Sequence, residues 1–141
     1  MRQTHTFHIN KPSNLRNKLL LKSKELTYIS ILDSNTKLSP DHLPEDYIKY
    51  DLIAGVDAID VLESRKSSFS GLKVFHKEHK DWLFGYLSYD LKNELETLSS
   101  ENWDGIGTPH LSFFIPRYVF LFKGNKLIVL SHESKKKCSS F

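Results

Sequence analysis

A chain of 141 residues, 39% hydrophobic and 12% aromatic, is long enough for one folded domain and too apolar for a disordered one. Its 20 basic and 17 acidic residues leave a formal charge of +3, too balanced for the concentrated basic face that nucleic acid demands. The single cysteine, Cys138, excludes an internal disulfide framework and fits a reducing compartment, and no apolar stretch approaches a membrane span or the core of a signal peptide, so a cytoplasmic protein without membrane contact is expected.

Residues 4–9 read as an opening strand, since Phe7 and Ile9 alternate with polar neighbours. A helix starts at Lys11-Pro12-Ser13, where proline is tolerated in the first turn, and runs to about Lys24 with Leu15 and Leu19 as its apolar stripe. Residues 26–32 are rich in β-branched and aromatic residues and read as a strand ending at Asp33-Ser34-Asn35, three residues that favour turns. Residues 39–46 hold two prolines and read as a loop. Residues 47–56 and 58–62 read as two strands parted near Gly55. Ser67 or Ser68 is placed to cap a helix that runs to about His79, with Phe69, Leu72 and Phe75 spacing its buried side.

The most informative run is Leu83-Phe84-Gly85-Tyr86-Leu87-Ser88-Tyr89-Asp90-Leu91, followed by Glu96. It reads as a buried strand over residues 82–89 that ends at a polar corner. Gly85 permits close backbone approach, and Asp90 suits a capping carboxylate where the strand yields to a short helix over 91–98. A loop with two glycines covers 99–109. Three more strands follow at 111–115, 118–122 and 126–130, the last two joined by Gly124-Asn125, a two-residue hairpin signal. The strands 118–122 and 126–130 are apolar on both faces and need cover on both sides. Without a further layer they would expose an edge or an apolar face. The total is an α+β domain with a mainly antiparallel sheet and a few flanking helices. It occupies residues 1–131, and 132–141 form a polar tail or truncated linker whose Lys135-Lys136-Lys137 reads as a solvated end.

Few constellations carry chemistry. His5/His8 and His76/His79 have ligand-like spacing, but zinc needs a third and fourth ligand that nothing nearby supplies, so they read as surface histidines and no metal is expected. No nucleophile elbow and no glycine-rich phosphate loop is present. Glu94/Glu96 and Asp57/Asp60 are spaced as solvated or capping groups. The Asp33-Ser34-Asn35 cluster supports two readings. Its carboxylate and hydroxyl suit the ammonium and carboxylate of a free amino acid beside the sheet, and an Asx turn that reverses the chain accounts for the same residues.

Two segments resemble the N-terminal domain of the chorismate-utilising synthases, the family of anthranilate synthase component I and aminodeoxychorismate (para-aminobenzoate) synthase component I. One is Ile31-Leu32-Asp33-Ser34-Asn35, similar to that family's Leu-Leu-Glu-Ser or Leu-Asp-Ser element. The other runs from Phe84 to Leu91, then Glu96, Asp104, Pro109 and the strands to Leu130. The Leu-Asp-Ser-Asn form and residues 91–96 look closer to the aminodeoxychorismate branch. The resemblance implies one part of an α/β/β/α layered sandwich. It implies a full chain that aminates chorismate with ammonia and magnesium in folate or tryptophan biosynthesis, the ammonia coming from a glutamine amidotransferase subunit. It also implies a tryptophan site in which Asp33 and Ser34 stand for the family's Glu-Ser. The family's chorismate and magnesium ligands belong to its C-terminal domain, and nothing here matches them. The expectation is therefore a non-catalytic domain with no catalytic residue, either a fragment or a stand-alone remnant. The alternatives are an amino-acid-binding regulatory module, or a docking half for a catalytic domain supplied in cis or in trans.

Overall fold

The computed structural model describes residues 1–9, 13–34, 49–96 and 105–139. The elements run β1 (Gln3–His8), α1 (Ser13–Lys22), a 3-10 turn (Ser23–Glu25), β2 (Ile29–Asp33), β3 (Leu52–Ser64), α2 (Ser68–His79), β4 (Phe84–Leu87), a 3-10 segment (Tyr89–Glu94), β5 (Leu111–Lys123), β6 (Lys126–Ser131) and α3 (Lys135–Ser139). The fold is α+β. Among the described residues six strands form a mainly antiparallel sheet in the order β1-β6-β5-β3-β2, and β4 pairs with β5 off that path. The chain divides into two compact units, Met1–Ala58 with Pro116–Phe141, and Ile59–Ile115.

In the first unit β5 and β6 form the expected hairpin, closed at the Lys123↔Lys126 pair. Gly124 takes φ 57°, the left-handed conformation that glycine adopts without steric cost. Period-two burial puts Ala54 and Val56 of β3 and Tyr118, Phe120 and Phe122 of β5 into a core with Val129 of β6 and Leu19 of α1. Leu15 packs against this core four residues before Leu19, as its spacing predicts. Residues 118–122 are all buried, so the exposed apolar face expected for this strand does not occur.

The structure redraws several elements. Residues 111–115 and 118–122 are one strand, β5, and Pro116 does not break it. Pro116 lies between the stretch that pairs with β4 and the stretch that pairs with β6. Its carbonyl and that of Arg117 accept hydrogen bonds from the Arg2 guanidinium at 2.5 and 3.2 Å. Residues 52–64 are likewise one strand, with Gly55 paired in register to Ser30. The irregularity falls instead at Asp57, φ 57°, a residue type that tolerates the left-handed region. The Asp57 N–H donates to the Tyr28 carbonyl at 3.0 Å, and its carboxylate accepts from Arg117 Nε at 2.7 Å. β2 is shorter than expected, starting at Ile29.

At the expected solvated end Lys135, Lys136 and Lys137 are exposed, but the end is not a bare tail. Residues 135–139 form α3, Cys138 is buried in the first unit's core, and Lys137 Nζ pairs with Glu133 at 3.0 Å. In the second unit, α2 matches its expected span, but Phe69 is 40% exposed, and the inward side is Ser68, Leu72 and Phe75. β4 is only four residues long, and of these only Phe84 is buried, so the run is not the fully buried strand its composition suggests. The expected loop at 39–46, Asn35, Asp104, Phe141 and the end of the helix placed at 91–98 lie outside the described residues.

Candidate functional site

Two polar corners hold the residues singled out in the sequence. The first closes β2 in the first unit. Asp33 is the last residue of β2 and pairs in register with Leu52. Its carboxylate Oδ2 stands 3.4 Å from Arg16 Nη1 of α1, with both side chains partly exposed. The Ser34 N–H and Oγ both donate to the Asp51 carbonyl, at 3.0 and 2.9 Å. Asp51 in turn donates its N–H to the Phe122 carbonyl and accepts from the Gly124 N–H through Oδ2 at 2.6 Å. The Ser34 hydroxyl proton is thus spent on backbone, and its lone pairs remain as acceptors. Asp33 and Arg16 present opposite charges side by side, the complement of a zwitterion.

The second corner is the 84–96 run in the second unit. Gly85 is required by its neighbours. A Cβ there would collide with the Ser112 carbonyl oxygen and lie 2.6 Å from Phe113 Cα. The expected capping role of Asp90 is not what the structure shows. Ser88 is the residue before the 3-10 segment and makes no side-chain cap, and Asp90 is exposed, 3.9 Å from Lys92. The capping carboxylate is Glu94, and it caps a different helix. Its Oε2 accepts from the Ser68 N–H at 2.7 Å and its Oε1 from Ser68 Oγ at 2.6 Å, at the N-terminus of α2. Ser67, the nominal cap, sits at φ 53° and makes no side-chain cap bond, so the Glu94 carboxylate takes that role and meets the positive end of the helix.

The Ser68 hydroxyl bond holds the Glu94 carboxyl below its ordinary range. Burial opposes this, and the Ser68 N–H and the nearby His110 ring add to it. His110 Nδ1 lies 4.0 Å from Glu94 Oε1. His110 Nδ1, Ser88 Oγ and Asn93 Oδ1 are buried atoms with no hydrogen-bond partner. The order Ser–Glu–His puts the carboxylate between hydroxyl and imidazole, so the imidazole does not take the Ser68 hydroxyl bond as it does in a Ser-His-Asp triad.

No protein-family model matches this chain, and no curated protein matches it.

His79 Nε2 pairs with Asp60 at 2.9 Å, and His5 Nε2 lies 3.1 Å from the Glu133 carbonyl. Among the described residues no group of three or more His, Cys, Asp or Glu is arranged to hold a metal ion, and no helix is long and apolar enough to cross a membrane. Sequence reasoning missed the Ser68–Glu94–His110 corner. Glu94 and Ser68 are 26 residues apart, and the only hint was a serine pair at a helix start.

Proposed function

We propose that this chain is a non-catalytic N-terminal domain of a chorismate-utilising synthase, of the aminodeoxychorismate or anthranilate type. In a full chain such a domain supports a catalytic domain that aminates chorismate with magnesium and with ammonia from an amidotransferase subunit, for folate or tryptophan biosynthesis in the cytoplasm. The observation that carries the reading is the 84–96 run, where Gly85 meets a backbone that leaves no room for a side chain. The α+β fold with a mainly antiparallel sheet is the class that the resemblance implies. The test mixes the purified chain with a separately expressed catalytic domain of such a synthase, and supplies chorismate, ammonia and magnesium. The expected result is no turnover by the chain alone, and turnover by the mixture above that of the catalytic domain alone. Amination of chorismate by the chain alone, or no gain in the mixture, overturns it.

A second reading is favoured by one observation, the Arg16–Asp33 pair beside Ser34. Here the corner binds a free amino acid, with Asp33 and the Ser34 lone pairs taking the ammonium and Arg16 the carboxylate. Calorimetry with tryptophan is expected to give saturable heat that weakens in Ser34→Ala. The absence of heat at millimolar ligand removes this reading.

A further inference from the structure

A cavity of about 220 Å³ lies in the first unit beside α1. Leu19, Phe120, Val129 and Cys138 give it an apolar wall, and Lys18 and Lys22 line it from α1. The spacing explains the arrangement. Positions 15, 18, 19 and 22 share one face of a helix, so two lysines are interleaved with the two leucines that meet the core. Lys18 is exposed and Lys22 is 42% exposed, and long basic side chains lay an apolar stem along apolar surface while the charged end keeps to water. Lys22 Nζ bonds Glu25 at 2.9 Å, whereas no carboxylate among the described residues pairs with Lys18. A third ammonium, Lys135 Nζ, stands 5.6 Å from the ring centroid of Phe7, which also lines the space. The site is thus apolar within and cationic at its edge.

We propose that this cavity binds a small carboxylic acid with an apolar tail, the tail against Leu19, Phe120 and Val129 and the carboxylate at Lys18 and Lys22. Size sets the class. A dry apolar cavity of about 150 Å³ holds benzene, so the space beside α1 takes a tail of roughly eight or nine carbon atoms. Charge sets the head group, because the Lys18 ammonium, with no carboxylate partner among the described residues, selects an anion over an alcohol or an amine of the same shape at the edge of an apolar space. The site shares no residue with the Asp33–Ser34 corner, and it stands whether or not the chain serves a chorismate enzyme.

Cys138 is the chain's only cysteine and lines the cavity, so its labelling responds to occupancy there. The experiment measures the rate at which a thiol reagent modifies Cys138 in the full chain, with octanoate, 3-phenylpropionate or octan-1-ol added. Both acids are expected to slow labelling saturably, and octan-1-ol to need a concentration at least about tenfold higher, the weight of one hydrogen bond to a charged group. The double variant Lys18→Gln/Lys22→Gln removes both ammonium groups, and with Lys22 the exposed pair to Glu25. It is expected to label at the parent rate without ligand and to bind the acids at least about tenfold more weakly. Three results would overturn the proposal: no slowing by either acid, protection by octan-1-ol equal to that by octanoate, or undiminished acid binding by the double variant.

Discussion

The two units are held in different ways. The first packs apolar side chains from β1, β2, β3, β5, β6, α1 and α3 into one cluster, and beside it Arg2 bonds the Pro116, Arg117 and Leu130 carbonyls. The second leaves Phe69, Val74, Trp82, Tyr86, Leu87, Tyr89, Leu95 and Ile106 exposed, and Ser88 Oγ, Asn93 Oδ1 and His110 Nδ1 are buried there without hydrogen-bond partners. Its helix α2 begins on a carboxylate supplied from 26 residues away. Where apolar burial is thin, a long-range polar contact carries more of the local order, and a single side chain becomes decisive.

The largest effect tests the first unit. Phe120→Ala removes a core aromatic and should cost about 4 kcal/mol in urea denaturation. A shift under a third of that means β5 does not face the core as described. Gly85→Ala should follow, at about 3 kcal/mol, because the new methyl meets backbone at Ser112 and Phe113 rather than a movable side chain. A variant as stable as the parent would refute the close approach of β4 to β5.

Ser68→Ala is next. It deletes the hydroxyl bond to Glu94 in a fully buried position, and should cost roughly 1–2 kcal/mol. The smallest effect has the opposite sign. Ser67 pays for a left-handed backbone and makes no cap bond, so Ser67→Gly should stabilise by about 0.5–1 kcal/mol. Equal melting of parent and variant would show that the backbone strain is not there.

Acid acts on both units in the same direction. Glu94 is held below the ordinary carboxyl range chiefly by the Ser68 hydroxyl, and Glu133 chiefly by the Lys137 bond. A carboxyl depressed in the folded state contributes stability that is present above its unfolded pKa and is lost as pH falls through its folded value. Stability should therefore decline on the acid side of the ordinary carboxyl range, with a shallower decline for α2 in Glu94→Ala and for α3 in Glu133→Ala. Circular dichroism across the acid range, with residue-resolved amide signals, tests both.

Much of the fold was legible because it obeys period and turn chemistry. The Phe7/Ile9 alternation, the Leu15/Leu19 stripe, the Gly124-Asn125 hairpin and the Ser67/Ser68 start of α2 are local signals, and each names its element. The breaks were less legible. Pro116 and Gly55 are residues that interrupt strands in isolation, yet the Arg2 guanidinium and the register with Ser30 carry the strands through them. Residues 135–137 are exposed, as their charge suggests, but charge gave no sign of the helix they open or of Cys138 tying it to the core. The candidate sites show the same limit. Asp33 and Ser34 were visible as a polar stop after an apolar strand. Arg16 came to Asp33, and Glu94 to Ser68, only through tertiary folding, which no local pattern encodes.

The most direct test of the contrast between the units is amide hydrogen exchange of the full chain and of Glu94→Ala at neutral pH. The account predicts that the variant loses protection at the start of α2, at Gly71 and its neighbours, while the Val119, Phe120 and Leu121 amides of β5 keep theirs. Unchanged protection across α2 would contradict it, since that helix would then hold its N-terminus without the Glu94 carboxylate.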